Sequence, residues 1–117
     1  MFRYLQDMRS EKKNKVKNGV GEPDFRFLFT PQEMGGRAEL MAVVTLQPGE
    51  SVGPHSHDTN AEAYVVLEGS ACVLEDGVER VLNEGDAEFC GDGHSHAIRN
   101  HTPYPVKFLA LILPDRK

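Results

Sequence analysis

Between Gly49 and Gly69 the chain reads GESVGPHSHDTNAEAYVVLEG, and here residue types and spacing are suited to chemistry. His55 and His57 stand one residue apart, and Glu62 follows five positions after His57. Side chains alternate faces along an extended chain, so the two imidazoles project together. A turn through Asp58 to Ala61 returns the chain and lets Glu62 join them. Two imidazoles and a carboxylate at one point form a metal site that lacks one or two ligands.

The elements that hold these residues must fit into 117 residues, which is one domain with a real core. With 39% hydrophobic and 26% charged residues, the composition is that of an ordinary soluble globular protein. No apolar run reaches the length of a membrane span, and MFRYLQDMRSEKK lacks the apolar core of a signal peptide. Cys72 and Cys90 have no CxxC spacing and are too few for a disulfide scaffold. The expected home is the cytoplasm, with no membrane partner.

Charge is unevenly spread. Residues 1–19 carry six basic side chains against Asp7 and Glu11, a balance of +4, which leaves −9 for the rest of a chain of net charge −5. An acidic body repels nucleic acid, so none is expected as a partner. The boundaries that follow are a basic N-terminal arm over 1–20, solvated or lying on an acidic neighbour, and a barrel over 21–117.

Phe2, Leu5 and Met8 have helical spacing, which predicts a short amphipathic turn or helix within 2–12. Phe25, Phe27 and Phe29 alternate as a strand with an aromatic face. Thr30-Pro31-Gln32-Glu33 has the pattern of a capping box, closed by Gly35-Gly36. From Ala38 to Leu46 both parities are apolar, as in a strand buried on both faces. Glu62, Tyr64 and Val66 share one face of the next strand, and Ala63, Val65 and Leu67 form an apolar opposite face that needs cover. Either another sheet or a second subunit would supply it, and the expected assembly is a homodimer. Asp76-Gly77 marks a hairpin, and further short strands separated by Gly and Pro complete an all-β sandwich or barrel.

A barrel brings distant strands around one cavity, which makes His96 the best fourth ligand. The whole pattern resembles a small single-domain cupin. Gly49, His55, His57, Glu62 and Gly69 match the spacing of the first cupin motif, and Gly85, Gly93, His96 and Asn100 match the second. Gly91 stands where that family usually has proline, which predicts a looser hold on His96. The resemblance implies a double-stranded β-helix (jelly-roll) barrel. It also implies one divalent transition metal, Fe, Mn, Ni, Zn or Cu, on His55, His57, Glu62 and His96.

Two further histidines are set aside. His94 belongs to the turn after Gly93 and is expected at the rim, while His101 has the opposite parity to His96. Asn100 is expected to tie up backbone at a strand end. The inferred cavity walls, Tyr64, Val66, Ile98, Val106, Phe108, Ala110 and Ile112, are apolar, with Tyr64 the obvious proton donor. Without an inward Arg or Lys cluster, the expected ligand is a small, unphosphorylated, neutral or carbonyl-bearing molecule that chelates the metal. Such a site suits a dioxygenase, decarboxylase or isomerase with Tyr64 as its catalytic proton donor, or a binding and sensing module without turnover.

Overall fold

The computed structural model describes residues 1–115 as two antiparallel β-sheets packed face to face. Ten strands are formed: β1 Ser10–Lys12, β2 Asp24–Phe27, β3 Leu40–Leu46, β4 Ser51–Ser56, β5 Asn60–Glu68, β6 Ala71–Glu75, β7 Val78–Leu82, β8 Ala87–Cys90, β9 Ser95–Arg99 and β10 Val106–Pro114. One sheet has the order β1-β2-β3-β10-β5-β8 and the other β4-β9-β6-β7. From β3 to β6 and again from β7 to β10 successive strands alternate between the sheets, as in a double-stranded β-helix, while β1–β3 share one sheet and β6–β7 form a hairpin in the other. No helix among the described residues is long and apolar enough to cross a membrane.

Residues of one parity from each sheet meet in the core. Ala42, Val44 and Leu46 of β3 lie alongside Val106, Phe108 and Ala110 of β10 and Tyr64 and Val66 of β5 on one inner face, with Val52, Val73 and Ile98 of the other sheet opposite, all of them buried. The predicted hairpin turn is present: Asp76 and Gly77 take φ of 47° and 85° between β6 and β7, the conformation that an Asp-Gly loop favours. The capping box is also present. The Thr30 amide donates to Glu33 Oε1 at 2.8 Å, and the Glu33 amide donates to Thr30 Oγ1 at 3.1 Å.

Two sequence expectations are corrected. β3 is buried on one face only, because Met41, Val43 and Thr45 remain partly exposed on the outer side of the six-stranded sheet. That outer face is apolar in rows across four strands: Val43, Leu109, Val65 and Ala87, then Met41, Leu111, Ala63 and Phe89.

The helix expected within 2–12 reduces to a single 3-10 turn, Leu5–Asp7, followed by β1. Phe2 and Leu5 are 93% and 63% exposed and Met8 alone is half-buried, so the would-be helical face has little to pack on. β2 would otherwise end the sheet, and its unpaired backbone takes β1 as a partner. The basic side chains lie on aromatic rings rather than on carboxylates alone. Arg9 sits 4.5 Å from the Phe27 ring centre and Lys13 5.0 Å from that of Phe25.

Candidate metal centre

His55 belongs to β4, His57 follows its end, Glu62 lies on β5 and His96 on β9. β4 pairs with β9 so that His55 stands opposite His96, after an irregularity between Val52 and His55. Past the strand the ladder continues, with the His57 amide donating to the His94 carbonyl at 3.1 Å. The fold thus brings the four sequence-nominated residues together across 41 positions of chain.

Their inward atoms converge. Glu62 Oε1 lies 3.3, 3.1 and 3.0 Å from Nε2 of His55, His57 and His96, and His96 Nε2 lies 3.1 Å from Nε2 of both other rings. Ligands on adjacent corners of an octahedron with bonds of about 2.1 Å are separated by roughly 3.0 Å. The cluster has that size.

Each outward nitrogen already has an acceptor. His55 Nδ1 is 2.8 Å from the Gly53 carbonyl, His57 Nδ1 is 2.6 Å from Asn60 Oδ1, and His96 Nδ1 is 2.9 Å from Glu88 Oε1. The Asn60 amide nitrogen donates to Glu39 Oε1 at 2.9 Å, which fixes the oxygen towards His57. Neutral rings held in this way carry the proton on Nδ1 and turn three Nε2 lone pairs and a carboxylate oxygen to one point. A cation fits there and satisfies all four.

A proton competes for the same point. Burial by itself raises the Glu62 carboxyl, but hydrogen bonds from His55 and His96 outweigh it and hold the group at about 2. Burial lowers the His96 imidazole, yet Glu62 and Glu88 on either side outweigh that and raise it to about 9. The centre draws positive charge to itself.

Beside the cluster lies a cavity of about 420 Å³, walled by Val44, Val52, Phe108, Ala110 and Ile112 among others. Tyr64 also lines it, 2% exposed, its ring stacked on His96 at 4.5 Å between centres and 4° between planes. Burial first, then the Glu62 and Glu88 carboxylates, push its phenol well above 10, so Tyr64 keeps its proton through the neutral range.

His94 is at the exposed rim, paired with Asp76. His101 is exposed, while Asn100 is 3% exposed and bonded to backbone at the end of β9. The loose hold expected for His96 is not found: the ring is 1% exposed, between Glu88 and the Tyr64 face. A β-carbon at Gly91 would stand 2.9 Å from that of Ala61, so the backbone approach leaves no room for proline there. Cys72 and Cys90 are free and buried, and burial with Glu88 nearby pushes the Cys90 thiol up to about 12.

Several residues at the site escaped the sequence reading. Glu88 has the inward parity of its strand, next to outward Phe89, and that acidic residue on a core face was a usable signal. Lys13 and Lys17, from the basic arm, line the cavity and correct the expectation of walls without lysine. Their approach depends on long-range packing that local pattern does not encode.

Known proteins share both the scaffold and much of the sequence. An oxalate-binding protein of Thermotoga maritima is 32% identical over 107 residues, covering 92% of this chain and 88% of that protein. The tetracenomycin polyketide synthase protein TcmJ of Streptomyces glaucescens is 33% identical over 76% of this chain and 60% of its own length. The crystal structure of a predicted oxalate decarboxylase of Thermotoga maritima superposes with a TM-score of 0.94 at 30% identity, covering 98% of this chain and all of that one. KdgF of Halomonas sp., at 19% identity and a TM-score of 0.78, is a likeness of fold alone. The family model of the cupin domain matches residues 42–112, which run from the core of β3 into β10 and include all four converging residues, and the chain belongs to that family.

Proposed function

We propose that the protein holds one divalent transition metal on His55, His57, Glu62 and His96 and binds a small carboxylate-bearing molecule beside it. The observation that carries this reading is the convergence of three Nε2 atoms and one carboxylate oxygen while each Nδ1 is engaged elsewhere. A bound ion would supply Lewis-acid positions for the oxygen atoms of the ligand. Oxalate and related small acids are the favoured class, supported by the 32% identity to the oxalate-binding protein of Thermotoga maritima over nearly its whole length.

The chain's own residues do the rest. Val44, Phe108 and Ala110 exclude water from one side of the cavity, and the Tyr64 ring fixes the plane of His96. A second reading, turnover by a decarboxylase, dioxygenase or isomerase, is favoured by Tyr64 alone. Its phenol remains a donor beside the cluster and could pass a proton to a bound ligand.

Metal analysis of untagged protein tests the first reading, with about one ion per chain expected and none in His57→Ala. Metal-free wild-type protein after growth with added Fe, Mn, Ni, Zn and Cu would sink it. Calorimetry with oxalate then reads binding, and release of CO2 with formate would raise the second reading above the first.

A second copy of the chain is the proposed cover for the outer face of the six-stranded sheet, where Phe89 and Leu67 are 61% and 46% exposed. Sedimentation should give a dimer that Leu109→Asp splits; a wild-type monomer at micromolar concentration overturns it. Two free, buried thiols suit a reducing cytoplasmic location.

A further inference from the structure

The basic arm reaches the cavity at three residues, Lys13, Val16 and Lys17. Lys13 Nζ lies 5.0 Å from the ring centre of Phe25 and 5.5 Å from that of Phe27, and Phe25 is itself part of the cavity wall. Among the described residues neither lysine forms an ion pair.

The turn that carries Lys17 is strained and firmly held. Lys15, Lys17 and Asn18 take φ of 49°, 54° and 62°, a left-handed region that is unfavourable for residues other than glycine. The Lys15 amide donates to the Gly21 carbonyl at 2.9 Å, the Gly19 amide to Val16 at 2.9 Å, and the Ser51 amide to Val20 at 3.0 Å. Such strain persists where surrounding contacts over-determine it, and it is commonest at ligand sites.

The charge around the cavity is unbalanced in one direction. Its lining includes two acidic residues, Asp58 and Glu62, and two lysines, Lys13 and Lys17. Glu88, bonded to His96 beside the cavity, adds a further carboxylate, and a divalent ion on the cluster still leaves the site net positive. A site of that sign favours an anionic ligand over a neutral one. A single carboxylate at the cluster would leave both lysines without an anionic partner.

We infer that the cavity selects a small dianion, one carboxylate of which lies at the His/Glu cluster while a second anionic group is received by Lys13 and Lys17 as specificity-determining residues. The inference rests on the metal-binding reading above and goes beyond it by naming the ligand's charge and the residues that discriminate. It also gives the basic arm a purpose: the arm carries positive charge to the mouth of a barrel whose body is acidic.

Calorimetry on metal-loaded protein at low ionic strength tests it, with oxalate, malonate and succinate as diacids, acetate and glycolate as monoacids, and imidazole as a neutral metal ligand. At least one diacid should bind on the order of tenfold or more tightly than either monoacid. Lys13→Gln and Lys17→Asn should each weaken that diacid about tenfold and flatten its salt dependence, with metal content and imidazole binding unchanged. Asparagine tolerates left-handed backbone, so the second variant removes the charge and keeps the turn. Lys13→Arg should bind the diacid within severalfold of wild type. Equal affinity for monoacids and diacids, or unchanged diacid binding in both charge-removing variants that still load metal, overturns the inference and leaves the metal site standing. A wild-type chain that loads no metal overturns the metal-binding reading instead.

Discussion

A β-carbon on Gly53 would lie 2.1 Å from the carbonyl oxygen of Lys17. The two backbones touch because Gly53 has no side chain, and the contact seats the arm's left-handed turn on β4. The Gly53 carbonyl also accepts from His55 Nδ1 at 2.8 Å. One residue therefore couples the arm, with its two cavity lysines, to the orientation of an imidazole in the candidate metal centre.

Gly53→Ala separates that coupling from ordinary packing. The obstruction is backbone, which has no rotamer to adopt, so the turn or β4 must shift. A loss of about 1–3 kcal/mol in folding free energy is expected, the usual cost of overpacking. Denaturant unfolding of the metal-free protein measures it. Metal affinity should fall as well, since the residue-53 carbonyl that holds His55 Nδ1 moves with the displaced backbone; an alanine variant equal to wild type in both would show that the contact relaxes freely.

Asn100 is a structural residue with four hydrogen bonds. Its Nδ2 donates to the carbonyls of Leu46 at 3.0 Å and Tyr104 at 2.7 Å, and its Oδ1 accepts from the Thr102 amide at 2.9 Å and from Thr102 Oγ1 at 2.8 Å. Asn100→Ala removes these partners from the Leu46 carbonyl and the Thr102 amide, while the Tyr104 carbonyl keeps Thr102 Oγ1 at 2.9 Å, and a destabilisation of about 1–3 kcal/mol is expected. Folded Asn100→Ala should still load metal, because no ligand touches the amide. Loss of metal from variant protein that unfolds with the wild-type midpoint would contradict this role.

Glu33 provides a pH dependence away from the metal centre. The Thr30 backbone amide, then the Arg3 guanidinium, hold its carboxyl below the ordinary 4.5. A depressed native pKa means that the unfolded chain binds the proton more tightly. The group's stabilisation is therefore complete above pH 4.5 and is lost as pH falls through the native value. Glu33→Gln should be less stable than wild type at neutral pH, with the gap narrowing on acidification. A gap constant between pH 7 and pH 3 in urea titrations would refute the assignment.

What could be read from the sequence depended on the range of the cause. The spacing of His55, His57 and Glu62 reflects strand alternation and a short turn, both local, and the same holds for the Asp76-Gly77 hairpin and the Thr30–Glu33 box. His96 is remote, but its own motif marks it. The partners of the imidazoles were less visible. Asn60 and Glu88 become acceptors only through the geometry of rings they do not adjoin in sequence. β1 was hidden because Ser10-Glu11-Lys12 has no apolar alternation; it forms because the edge of β2 needs a partner. The cavity lysines come from a segment whose composition suggests solvent, and their placement depends on the missing side chain of Gly53.

Glu88 holds the outward nitrogen of His96 through both carboxylate oxygens, at 2.9 and 3.1 Å, and so acts on the metal centre without reaching it. Partners of this type orient the ring and increase its basicity, and their removal commonly costs 10–100-fold in metal affinity. Glu88→Gln keeps an oxygen for Nδ1 and removes the charge, so a loss of about tenfold is expected. Glu88→Ala removes both and should approach a hundredfold. Competition with a chromogenic chelator reads the affinities, and both variants should still reach one ion per chain at saturating metal. If the order were reversed, or if Glu88→Ala matched wild type, the carboxylate would be only a neighbour of His96 and the ring would be held by its stack on Tyr64.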